Sequence, residues 1–74
     1  MIENFAKVIE IANKDYDGHF TIFKFTTGYK VVFGTPGMDV KDRKILYKQV
    51  PQCMDLDKAF LHAIAHKPVL NFGG

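Results

Sequence analysis

Apolar residues in the first sixteen positions recur three and four apart: Ile2, Phe5, Ile9, Ala12 and Tyr16, with Val8 at the edge of the stripe. That spacing places them on one side of an α-helix. A helix is therefore predicted over 2–16, with this stripe buried and Ile11 projecting to solvent from the far side. Asp17-Gly18 ends it, since glycine enters the left-handed conformation at a helix C-terminus at little cost. From His19 onward the period falls from 3.6 to 2. Residues 19–26 and 29–35 are rich in β-branched and aromatic side chains, with Thr27-Gly28 between them. This predicts an antiparallel hairpin with a two-residue turn. A turn there pairs Thr26 with Tyr29, Lys24 with Val31, and Ile22 with Phe33. One face of the ribbon then carries Phe20, Ile22, Tyr29, Val31 and Phe33, and is expected to receive the helices. The other carries Phe23, Phe25 and Val32, interrupted by His19, Thr21 and Lys30.

Gly34-Thr35-Pro36-Gly37 closes the hairpin, because proline cannot extend a ladder and the glycines permit turns. Residues 40–50 are ambiguous. Asp39 can cap a short helix that puts Lys41, Lys44 and Lys48 on one face, whereas residues 45–50 can equally form an edge strand stopping at Pro51. Residues 55–67 predict a second clear helix, capped by Asp55 and stopped by Pro68. Its buried stripe is Leu56, Ala59, Phe60, Ala63 and Ile64. Residues 68–72 have room for a short final strand, which would help because two strands alone are poorly stable. The expected architecture is a single small α+β domain over 1–74: an N-terminal helix, an antiparallel β-hairpin, a short helix or strand, and a C-terminal helix, with helices on one sheet face. With residues 45–50 as a strand, the order α-β-β-β-α resembles the double-stranded RNA-binding domain. That resemblance implies phosphate-contacting lysines at the start of the last helix, where this chain has Asp55-Leu56-Asp57-Lys58.

Composition narrows the class. Seventy-four residues with 47% apolar and 24% charged side chains suit one folded domain and leave no room for a second core. No apolar run approaches the ~18–20 residues of a membrane span. Glu3, Glu10 and Asp15 break up the first fifteen residues, which excludes the apolar core of a secretory signal there. Cys53 is the only cysteine and cannot form an internal disulfide, so a cytoplasmic setting is expected. The net charge of +2 hides an uneven distribution. Residues 1–18 are acidic, while Lys41, Arg43, Lys44 and Lys48 make the middle basic.

Catalytic chemistry finds little purchase. The chain contains no serine, and Cys53 beside Asp55 and Asp57 has an acidic setting that disfavours a thiolate. His62 and His66 are four apart on a helix, the spacing of two metal ligands. A zinc-protease helix would need a glutamate between them, and residue 63 is alanine. The sequence therefore predicts no catalytic residue, no metal and no cofactor. It leaves the second hairpin face, where Phe23, Phe25, Lys30 and Val32 form a candidate partner-binding surface. The expected function is a small non-enzymatic binding or interaction module, an accessory or regulatory homodimer or one that takes a small protein partner. The alternative is a nucleic-acid-binding domain that stacks bases on that aromatic face and uses Lys41, Arg43, Lys44 and Lys48 for phosphates.

Overall fold

A computed structural model of the chain describes residues 2–71. The elements are α1 (Ile2–Asp15), β1 (Phe20–Phe25), β2 (Gly28–Phe33), α2 (Val40–Lys48) and α3 (Leu56–His66). This is the expected α+β class, and residues 40–50 resolve to the helix. Asp39 caps α2, its carboxylate accepting from the Asp42 amide at 2.8 Å. Residues 45–50 form no strand, so the element order departs from the α-β-β-β-α of the double-stranded RNA-binding domain.

The hairpin turn lies one residue earlier than expected, at Thr26-Thr27, with Phe25 opposite Gly28 and Ile22 opposite Val31. The reason lies outside the hairpin. Tyr29 exchanges both backbone hydrogen bonds with Cys53 (2.7 and 2.9 Å), which brings that segment against Gly28. A Cβ on Gly28 would sit 2.5 Å from the Cys53 carbonyl oxygen, so Gly28 serves a close approach rather than the turn. The register moves by two residues, an even number, and both ribbon faces keep their expected residues.

Two hydrophobic layers cover those faces. On the first, α1 and α3 bury Val8, Ile11, Ala12, Ala59, Phe60 and Ala63 against Val31 and Phe33. On the second, Leu46 and Val50 join Leu70 over Val32, with Phe23 and Ile45 packed at the margin. The helices thus lie on both sides of the sheet, not one. The predicted final strand is reduced to single bridges: Phe33 pairs with Val69 at one end of β2 as Tyr29 pairs with Cys53 at the other. Phe72, also assigned to that strand, lies outside the described residues. Among the described residues no helix is long and apolar enough to cross a membrane.

The buried side of α1 differs from the predicted one. Val8, Ile11 and Ala12 are interior, whereas Ile2 is 83% exposed and Phe5 and Ile9 are partly exposed, at 39% and 37%. The cause is α3, which packs beside α1 and takes Ile11 between the two helices. Asn4 donates to the Asp57 carboxylate at 2.8 Å across the same seam. The apolar arc of α1 is wide enough to serve both neighbours, and its outer part stays wet.

Candidate functional site

The four residues expected to form a docking face are separated by the fold. Val32 is fully buried and Lys30 is only 5% exposed, while Phe23 and Phe25 are half-buried. α2 and Leu70 lie over that side of the ribbon, so its apolar surface is largely shielded by the same chain. Lys30 and Val32 present no surface to a partner. Of the two segments that the sequence offers as cover for this face, 40–50 and 68–72, both contribute: Leu46 and Val50 from the first and Leu70 from the second.

Lys30 has a structural task instead. Its Nζ donates to the Leu46 carbonyl at 2.8 Å, lies 4.8 Å from the centre of the Tyr47 ring, and 5.9 Å from that of Phe25. Leu46 is in the last turn of α2, where carbonyls lack intrahelical donors and carry partial negative charge. Lys30 thus ties the C-terminal end of α2 to the sheet. Burial pushes its ammonium below the usual lysine range.

The alternative site is exposed. Lys41, Arg43, Lys44 and Lys48 all reach solvent on α2. Lys41, Lys44 and Lys48 follow the three- and four-residue spacing of one row, while Arg43 falls on another side. Asp42, the acidic residue among them, is turned inward. Its Oδ2 accepts from the Gly37 and Met38 amides at 2.7 and 3.0 Å. The basic row is therefore locally unopposed.

His62 and His66 do converge, with ring centroids 4.5 Å apart. Among the described residues no group of three His, Cys, Asp or Glu side chains is placed to share a metal. His62 Nδ1 is shielded from water and has no hydrogen-bond partner. Its pKa is lowered, first by burial and then by neighbouring His66. Below about 6.5 an unfolded histidine takes up a proton that the folded His62 resists. The contribution of His62 to stability is therefore complete above that value and falls away as pH drops through the lower folded pKa. Urea unfolding at pH 7.5 and pH 5 should show this loss in the wild type and a smaller one in His62→Gln; equal losses in both would show that the histidine is not responsible.

A further region escaped the sequence reading altogether. Ile2, Phe5 and Ile9 of α1 and Ile22 of β1 are all exposed large apolar side chains. The Phe5 ring meets Phe20 edge-on with centroids 6.0 Å apart, and Phe20 and Ile22 point to the same side of β1. These residues lie along the α1–β1 side of the molecule, where the Phe5 ring also stacks on Phe60 of α3 with centroids 5.3 Å apart. β1 contributes its outer edge there as well. Tyr29 and Phe33 direct their backbone groups toward residues 53 and 68–70, so alternate residues Gly28, Lys30 and Val32 face β1. Their partners Phe25, Phe23 and Thr21 face back. The N–H and C=O groups of Phe20, Ile22 and Lys24 consequently point outward, and none has a backbone partner among the described residues. The missed signal was the breadth of the apolar arc on α1, which holds Ile11 as well as the stripe. No family model matches the chain, and no curated protein or solved structure matches it significantly.

Proposed function

We propose that the protein is a small non-enzymatic interaction module whose docking face is the flank made by the outer stripe of α1 and the free edge of β1. The observation that carries this reading is the coincidence of four exposed apolar side chains, Ile2, Phe5, Ile9 and Ile22, with three outward-facing backbone donors and acceptors. Exposed edges are usually blunted by charge or cover, because they pair readily with other chains, and large contiguous apolar patches usually mark contact sites. Only Lys24 among the three outward residues of β1 is charged. The proposed docking face thus moves from the second ribbon face to the outer edge of β1. A single cysteine suits a reducing, cytoplasmic setting.

A photocrosslinking residue placed at Ile9 or Ile22 in cells that make the protein should yield one discrete adduct. The same residue at Lys41 or Lys58, on other parts of the surface, should yield none. Equal adducts at all four positions, or none at Ile9 and Ile22, would end the reading.

The second reading, nucleic-acid binding through α2, is favoured by the row of Lys41, Lys44 and Lys48 with Asp42 turned inward. It predicts oligonucleotide binding that weakens steeply with salt and disappears when the three lysines are changed to glutamate. An unchanged affinity in that variant would remove it.

A further inference from the structure

The basic helix α2 carries an aromatic ring among its cations. Tyr47 is 62% exposed, more than any other aromatic residue among the described ones. Arg43 and Lys44 precede it by four and three positions, so one stands on each side of the ring, a turn earlier on the helix. Val40, also exposed, lies a further turn back on the same outer face. The ring is supported from within the fold. The Lys30 ammonium lies over it, 4.8 Å from its centre, while donating to the Leu46 carbonyl. One face of Tyr47 is thereby fixed against a buried lysine, and the rest of the side chain is presented to solvent. Among the described residues no carboxylate pairs with Lys41, Arg43, Lys44 or Lys48. Asp39 is engaged as the helix cap, about 12 Å along the axis from Tyr47.

We infer that this face of α2 binds single-stranded nucleic acid, with a base stacked on the open face of Tyr47 and the neighbouring phosphates held by Arg43 on one side and by Lys44 and Lys48 on the other. The inference rests on the nucleic-acid reading above and specifies the form of the ligand. Charge sets the class: cations without carboxylate partners, on a single short helix, call for a polyanion. The ring narrows it. A base offers its flat face only where it is unstacked, so a duplex meets the lysines and not Tyr47. A single strand meets both, and stacking of this kind tolerates any base because each has a π-face. An acidic peptide would match the charge and leave the ring unused. A membrane surface requires a broad apolar face to bury, and of the apolar residues of α2 only Val40 and Tyr47 are exposed. The stacking platform is therefore Tyr47 rather than the half-buried Phe23 and Phe25.

The test uses labelled oligothymidylate and oligouridylate of about ten nucleotides, within the range of small single-strand sites, with binding followed by fluorescence anisotropy. Either strand binding supports the inference, and the tighter one identifies the source as DNA or RNA. The logarithm of affinity should fall against that of salt with a slope of about −2 to −3, the value for three or four phosphates neutralised on a single strand. Tyr47→Ala should weaken single-strand binding at least fivefold and leave binding of a duplex of equal length within twofold. Tyr47→Phe should bind as the wild type does. Tyr47→Leu, which keeps bulk over Lys30 and offers no ring, should lose as much as Tyr47→Ala, so the effect is read even where the alanine variant folds poorly. The Tyr47 ring resonances should move upfield as a base covers them. Unchanged single-strand affinity in both Tyr47→Ala and Tyr47→Leu would overturn the stacked base. Loss of binding on changing Lys41, Lys44 and Lys48 to glutamate would then leave a phosphate-binding face alone. No binding of any oligonucleotide at low salt would take the nucleic-acid reading with it. Displacement of the oligonucleotide by polyglutamate at equal charge would overturn the inference in favour of an acidic peptide. Binding to phosphatidylserine vesicles and to no oligonucleotide would overturn it in favour of a membrane surface.

Discussion

Phe33→Ala should cost about 3–5 kcal/mol of stability, the range for deleting a buried aromatic ring. Phe33 is wholly buried, and its ring stacks on Tyr16 with centroids 4.7 Å apart. Its backbone also accepts from Leu70 and donates to Pro68, tying the chain end to the sheet. A domain of this length is worth only about 4–11 kcal/mol in total, so most of that margin disappears. The ring is walled by α1 above and by the Phe20 pair across the ladder; collapse to fill the void would have to shift elements that other contacts hold. Urea unfolding monitored by circular dichroism provides the measurement. A loss below about 1.5 kcal/mol, the upper end for trimming a single methyl-sized group, would show that the interior repacks.

Asp42→Ala should cost about 2–3 kcal/mol, the scale of hydrogen bonds to a charged group whose partners are then left unpaired. The Asp42 carboxylate, buried at the start of α2, holds the Gly37 and Met38 amides. Met38 is kept in the left-handed region with φ 55°, a conformation a non-glycine side chain adopts only when neighbouring bonds hold it. Losing the carboxylate frees the connection between β2 and α2 and loosens the cover over Val32. Asp42→Asn retains an acceptor oxygen and should cost about half as much. Amide exchange at Gly37 and Met38 should quicken in Asp42→Ala before exchange in α3 changes. Simultaneous quickening everywhere would assign the loss to global stability alone.

The elements were legible in the sequence because each has a strong local signal. α3 carries its cap at Asp55 and its apolar stripe at Ala59, Phe60 and Ala63, and both appear where expected. The hairpin's period of two fixed its faces even though the turn fell elsewhere. What local signals could not fix was which element covers which face. The side of α1 that is buried depends on α3, some fifty residues away in sequence, and the position of the hairpin turn depends on Cys53. The basic residues of α2 share one short segment, which the sequence shows directly, but the fate of Lys30 turned on the Leu46 carbonyl. The proposed docking flank was invisible for the same reason: it depends on how α1 sits beside β1, a relation that no single stretch of residues encodes.

The ribbon's two-sided use has a consequence for how the chain can vary. Along β2, Val31 and Phe33 belong to one interior, while Lys30 and Val32 belong to the other. Inserting or deleting one residue within β2 would transpose these sets, sending the Lys30 ammonium toward Phe60 and Val8 and withdrawing it from the end of α2. Point changes on this strand disturb a single compartment, whereas a change of length by one scrambles both, so the hairpin should accept altered letters far more readily than an altered count.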